Sequence, residues 1–388
     1  MKSDGDNCYL DHATTSRPKA PRVVEEVVHV LRDVCVSPGR SHHFLAQEAS
    51  DLQEAVRKSV ATTFGAKPVG VILTCGATHA LNLAIKGLLH PGDHVVATCF
   101  DHNSVLRPLK RMESLGCKLS IVRPASGESI IEAVVREFRP ETKLLSLCHA
   151  SNVSGTILPV KELGIEAQKR GIIVLLDAAQ SAGHVSIDLR LLPVDFAVIS
   201  GHKGLLGPPG IGCLLVKNRR LHLEPLMEGG TGYESANLSP PPLMPTSFEV
   251  GTQNLPAIAG FGAALRFAKT EKFKQAMHLA KSLETEFLNR VTELKFVRVH
   301  RPELELPSIP VVSLTVNGQR PDQVSAQLDQ DFGIQTRAGL HCAPLMHDLL
   351  KTSPWGTVRV AFGFGNQSDA ADRLYDALKK IGNRRKSL

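Results

Sequence analysis

The chain has 388 residues, of which 43% are hydrophobic and 21% charged, with a net charge of +7; this supplies a large buried core and excludes disordered and fibrous classes. No apolar run approaches the roughly 20 residues of a membrane helix, so no membrane partner is expected. The eight cysteines are scattered without a CxxC pair behind an N-terminus, MKSDGDN, that lacks a signal-peptide core, and they read as reduced thiols of a cytoplasmic protein.

In chain order, Val23, Val24, Val27, Val28, Leu31 and Val34 repeat at helical spacing, as do Leu45, Ala49, Leu52, Val56 and Val60, which predicts two amphipathic helices. Seven short, nearly unbroken apolar runs follow: 69–73, 94–98, 118–122, 143–148, 172–177, 195–200 and 212–216. Runs apolar on both faces suit strands of a covered sheet. Helix-length segments such as ATHALNLAIKGLL and VKELGIEAQKR separate most of them, and this alternation predicts a mostly parallel, doubly wound α/β sheet.

After Gly230 the texture changes. The proline-rich stretch ANLSPPPLMPTS (236–247) excludes regular structure and leads into helical patterns at 255–269 and 271–291. Strand candidates KFVRVH, PVVSLTV and TVRVAF, with helices at 321–332 and 368–381, predict a smaller α+β unit. The large domain is expected over 16–254, and the small one over 1–15 with 255–388. The terminal KKIGNRRKSL is basic, but without interleaved aromatic residues it reads as a solvated helix end, and no nucleic-acid partner is expected.

In such sheets ligands gather at the carboxyl ends of the strands. There the sequence places Gly76-Ala77-Thr78, His102-Asn103, Asn152, Asp177-Ala178-Ala179-Gln180 and Ser200-Gly201-His202-Lys203. Small residues with free N–H groups opening a helix suit a phosphate. Asp177 closes an apolar run, so its carboxylate is expected to be desolvated. Lys203 closes the next strand, opening onto the same crevice, where burial would lower its pKa and free the amine to condense with an aldehyde. These features describe a pyridoxal-phosphate pocket; on spacing alone a nucleotide-binding α/β protein stays open, although no GxGxxG follows the first strands.

The motifs YLDHATTS, CGATHALN, FDHNSV, HASNVSGT, LLDAAQSAGH, SGHKGLLGPPGIG, FEVGTQN, RAGLHCAP and VRVAFGFGN occur in this order. Together they make the chain resemble the class V aminotransferases, and within them the cysteine desulfurases and selenocysteine lyases. The resemblance implies fold type I of the pyridoxal 5'-phosphate-dependent transferases. By position it implies Lys203 as the Schiff-base lysine, Asp177 as partner of the pyridine nitrogen, Gln180 as donor to the phenolic oxygen and His102 stacked on the ring. Ala77, Thr78, Ser200 and His202 match phosphate-binding positions, and Thr252 matches one that reaches the phosphate of the other subunit in a homodimer. Asn152 and Arg359, assisted by Arg337, match the holders of the substrate carboxylate.

Cys342 aligns with the thiol that takes sulfur from L-cysteine, giving L-alanine and a persulfide destined for an acceptor protein, with iron–sulfur cluster assembly as one outlet. His341 and Arg337 are expected to favour its thiolate. L-selenocysteine, or another amino acid handled by transamination or elimination, is the alternative substrate. The chain departs from its relatives at His12, where asparagine is common, and at Ala77, where a hydroxyl residue is common. His42 and His43 lack further ligands at metal-site spacing, so no metal is expected and the pair reads as a loop contacting the active site.

Overall fold

The computed structural model describes residues 7–384 apart from 235, 240 and 242. The N-terminal stretch MKSDGDN therefore lies almost wholly outside the described residues, as does the end of the basic tail. A two-residue strand β1 (Cys8–Tyr9) comes first, then helices α1 (Val23–His29) and α2 (Phe44–Phe64). Helical spacing persists to Val34, but the last turn, Val30–Val34, is π-helical: Cys35 N–H donates to Val30 O five residues back, and the widened turn keeps both Val30 and Val34 buried. His43 caps α2, its Nδ1 accepting Ala46 N–H at 3.2 Å, so this histidine ends a loop and starts a helix.

All seven apolar runs form strands of one sheet: β2 (Val71–Thr74), β3 (His94–Thr98), β4 (Lys118–Val122), β5 (Thr142–Cys148), β6 (Ile173–Asp177), β7 (Phe196–Ser200) and β8 (Gly212–Val216). Their order is β2-β8-β7-β6-β5-β3-β4, parallel except where β8 runs antiparallel to both β2 and β7. Every residue of β3, β6, β7 and β8 is buried, as expected for strands covered on both faces. The crossover helices α3 (Ala77–Leu88), α4 (Asn103–Ser114), α5 (Ile130–Arg136) and α6 (Val160–Gln168) follow the segments read from the sequence.

Beyond the proline-rich loop come α7 (Leu255–Ala268), α8 (Glu271–Val291), β9 (Val297–His300), β10 (Val311–Val316), α9 (Pro321–Phe332), β11 (Ile334–Gln335), β12 (Arg337–Gly339), α10 (Pro344–Leu349), β13 (Thr357–Ala361) and α11 (Ala370–Arg384). A four-stranded antiparallel sheet, β12-β13-β10-β9, backs a second core of Leu283, Phe287, Leu314, Val358, Phe362, Leu374 and Leu378. Cys8 and Leu10 join that core, because β1 pairs in parallel with β11. The change of core does not fall at 254/255. Ile258, Phe261, Leu265 and Phe273 still pack under the large sheet, and the switch comes inside α8, between Phe273 and Ala280.

Candidate active site

Five strands of the large sheet end on one cavity of about 250 Å³. It is lined by Ala77 and Thr78 after β2, His102 after β3, Asn152 after β5, Asp177 and Gln180 from β6, and Ser200, His202 and Lys203 from β7. The sequence places all of these at strand ends, and the sheet brings them together. Gly76, with φ 147°, makes the turn into α3 in a backbone region few other residues accept, and it leaves the first N–H groups of the helix without a side-chain cap. Gly183 lets the Gln180 turn lie against the Lys203 turn: a Cβ there would stand 2.3 Å from Gly204 O.

Lys203 and Asp177 oppose each other electrostatically across this cavity. Burial pushes the lysine below its ordinary range while Asp177 pulls it back up, and burial raises Asp177 while the Ala179 N–H and Lys203 hold it down. Ala179 N–H reaches Asp177 Oδ1 at 2.9 Å. Among the described residues, neither Lys203 Nζ nor Asp177 Oδ2 has a hydrogen-bond partner. An amine and a carboxyl group that leave these atoms unpaired in one cavity fit a ligand that engages both. Ser200 Oγ and Asn152 Oδ1 are buried without partners in the same cavity, which extends the fit to a polar ligand with an anionic end near α3.

The walls are tied to one another. His102 caps α4 with Nδ1 accepting Ser104 N–H at 3.0 Å, which leaves its proton on Nε2. Its pKa is lowered to about 4 by burial first and then by Lys203, so the ring is neutral and free to lie against another ring. Ser104 Oγ also meets Thr78 Oγ1 at 2.8 Å. Ala77 brings no hydroxyl, and Ser104 and Ser200 line the cavity beside it. His202 Nδ1 contacts Thr15 Oγ1 at 3.0 Å, and Lys19 Nζ donates to His202 O at 3.2 Å. Gln180 Nε2 donates one hydrogen to Ala13 O at 2.8 Å and keeps a second for a ligand.

Four expected residues do not line this cavity: Thr252, Arg337, Cys342 and Arg359. Of these, Arg359 has a guanidinium that already has partners within the chain. Nη2 donates to Asp11 Oδ1 at 2.7 Å and to Thr14 Oγ1 at 2.8 Å, and Nη1 donates to Asn152 O at 3.1 Å. A guanidinium only 1% exposed needs such a carboxylate, and Asp11 and Thr14 were both legible in YLDHATTS without their partner being so. Arg337 donates to Thr14 Oγ1 at 3.1 Å and approaches Cys342 Sγ at 3.8 Å, so it links the Thr14 hydroxyl that Arg359 also uses to the thiol.

Cys342 is exposed on a four-residue link between β12 and α10, with φ 56° after His341 at φ 50°. The link is pinned on both sides: Asn103 N–H donates to Cys342 O at 2.7 Å, and Asn152 Nδ2 donates to His341 O at 2.7 Å. The His341 ring does not serve the thiol. It is buried, with Nδ1 3.3 Å from His347 Nε2 and Nε2 3.2 Å from Arg337 O, and burial holds its pKa well below the ordinary value. Of the two neighbours expected to favour the thiolate, only Arg337 touches the sulfur.

Thr252 is exposed and lines an adjoining cavity of about 220 Å³ that shares Cys75, His79 and Gly210 with the first. Its loop is anchored by a buried pair the sequence reading missed. Glu249 accepts from Arg57 Nη1 at 2.7 Å and Nη2 at 2.8 Å, and from Leu73 N–H of edge strand β2 at 2.6 Å. His12 is buried with both ring nitrogens unpartnered, its pKa lowered to about 3, and it does not reach the mouth of the cavity. Neither His42 nor His43 lines it, and no group of metal-binding side chains occurs among the described residues.

A family model described as aminotransferase class-V matches residues 8–374. The chain is 30% identical to a probable cysteine desulfurase of Methanothermobacter thermautotrophicus, covering 97% of this chain and 95% of that protein. It is 34% identical to a probable cysteine desulfurase of Halalkalibacterium halodurans, covering 96% and 92%. An apo structure of a cysteine desulfurase from Thermococcus onnurineus superposes with a TM-score of 0.90 at 32% identity, over 98% of this chain and 95% of that one. With the match running through both cores and every strand end of the cavity, the chain belongs to the class-V aminotransferase family.

Proposed function

We propose that the protein is a pyridoxal-phosphate-dependent cysteine desulfurase that converts L-cysteine to L-alanine and carries the sulfur as a persulfide on Cys342. The observation that carries this reading is the unpaired amine of Lys203 facing the buried Asp177 in one cavity. Pyridoxal phosphate, when bound, supplies an electron sink for the charge left at the substrate Cα. Lys203 would hold the cofactor covalently until the substrate amine displaces it, and the freed amine, which burial shifts toward its neutral form, would take the Cα proton on Nζ. Asp177 would pair with the protonated ring nitrogen, Gln180 would donate its free Nε2 hydrogen to the phenolic oxygen, and neutral His102 would cover the ring. The N–H groups of Ala77 and Thr78, with the side chains of Thr78, Ser200 and His202, hold the phosphate.

Asn152 and Arg359 hold the substrate carboxylate, with Asp11 competing for Nη2 and Arg337 assisting from the thiol side. The Cys342 sulfur attacks the substrate sulfur: the new S–S bond forms, the Cβ–S bond breaks, and its electron pair stays on the carbon fragment that becomes alanine. The exposure of Cys342 supports delivery to an acceptor protein, such as one building iron–sulfur clusters. Exposed Thr252 on its anchored loop supports a homodimer in which it completes the partner's phosphate site. Eight free cysteines support a reducing, cytoplasmic setting. The two cores support a large and a small domain, the latter containing β1.

Incubating the purified protein with L-cysteine and a reductant tests the reading. Alanine and sulfide are expected in equal amounts, with turnover lost in Lys203→Ala and Cys342→Ala. Unchanged turnover in either variant refutes the assignment of that residue.

A further inference from the structure

The turn that opens α3 carries two side chains that no step above uses. Cys75 is exposed, and its Sγ lies 3.4 Å from Nδ1 of His79, one helical turn on. The same Nδ1 is 3.5 Å from the Cys75 backbone N–H, so it is the unprotonated, accepting nitrogen of the ring. Burial lowers the His79 pKa from its ordinary value, which keeps the ring neutral. Cys35, also exposed, has no such base beside it among the described residues. Cys75 and His79 line both the Lys203 cavity and the one containing Thr252. Ser200, 1% exposed with its Oγ unpartnered, lines the first of these beside the uncapped N–H groups that open α3, and so leaves a buried donor for a ligand there.

We propose that Cys75 is a thiol-modification site, with His79 as its base, at which a low-molecular-weight disulfide attaches and closes the anion site at the start of α3. In the exchange Cys75 Sγ attacks one sulfur of the disulfide while its proton passes to His79 Nδ1. The S–S bond of the reagent breaks, a new S–S bond to Cys75 forms, and the departing thiolate recovers the proton, so no further oxidant is needed. An acidic group attached there competes with a phosphate for the same unpaired N–H donors, and a bound phosphate shields Cys75 in return. The consequence for the cofactor rests on the function proposed above; the thiol chemistry does not.

The test treats the full-length holoenzyme, and the protein freed of cofactor, with dithiodipyridine and locates the modified cysteines over time by peptide mass mapping. Cys75 of the cofactor-free protein is expected to react about tenfold faster than Cys35. His79→Asn should remove that advantage without changing Cys35, and bound cofactor or inorganic phosphate should slow Cys75 alone. After treatment with glutathione disulfide, the wild type should lose cofactor rebinding, read by equilibrium dialysis, while Cys75→Ser keeps the binding it had before treatment. A Cys75 no faster than Cys35, or a rate indifferent to His79→Asn, overturns the site. Modified protein that rebinds cofactor as well as untreated protein overturns the closure. Untreated protein that binds no cofactor counts against the proposed function instead, and the mapping rates still decide the thiol site.

Discussion

At the scale of single residues, the site depends on side chains whose charge is set by burial. Arg359 shows how much a sequence position leaves unsaid, because the guanidinium proposed to hold the substrate carboxylate is also held by Asp11, Thr14 and the carbonyl of Asn152. Removing one partner of a buried ion pair strands the other, at a cost of about 3 kcal/mol or more. Asp11→Asn is therefore expected to lower the urea midpoint by the equivalent of about 3 kcal/mol. The same variant should alter the KM for cysteine, since Arg359 loses the group that competes with the substrate carboxylate. A midpoint within error of wild type contradicts the pairing. What was legible here was each residue's type and its strand end: Lys203, Asp177, His102 and Ser200 follow apolar runs and meet in one cavity. What was not legible was the pairing across 348 residues between Asp11 and Arg359, or the turning of His341 into the core, because no local spacing encodes a contact between distant segments.

At the scale of elements, long periodic segments were readable and short ones were not. Seven apolar runs became seven strands, yet β1, β11 and β12, two or three residues each, carry no period to detect. The expected domain start at residue 255 followed the proline cluster, whereas the apolar faces of α7 stay under the large sheet and the core changes within α8. The loop bearing Thr252 is an element held by one pair, Arg57 with Glu249, whose side chains are 4% and 6% exposed. Glu249→Ala removes the bidentate partner of Arg57, which keeps Glu54 and Val71 O, and leaves the Leu73 N–H without its acceptor, with an expected loss of about 2 kcal/mol by chemical denaturation. Glu249→Gln, which preserves the acceptor for Leu73 N–H, should lose less. Equal losses in the two variants contradict a role for the strand contact.

For the whole molecule, the distribution of buried imidazoles sets the response to acid. His102, His149, His184, His202, His300 and His347 have pKa values lowered to about 4, with burial the first cause in each. In the unfolded chain these rings titrate near the ordinary histidine value of 6.5, so between 6.5 and 4 the unfolded state binds protons that the folded state refuses. The histidine contribution is thus flat above pH 6.5 and turns against the fold as pH falls from there toward 4. The melting temperature is expected to be level from pH 8 to about 7 and to decline steeply below about 6. A melting temperature that holds constant from pH 7 to 4.5 contradicts neutral burial of these rings.

The whole arrangement turns on one nitrogen, the unpaired Nζ at the end of β7. Borohydride reduction of the holoenzyme followed by peptide mass mapping tests it directly. The account predicts a single stable adduct of the cofactor's mass on the peptide containing Lys203, absent from Lys203→Ala. An adduct on Lys19 or any other lysine, or none at all, would contradict it.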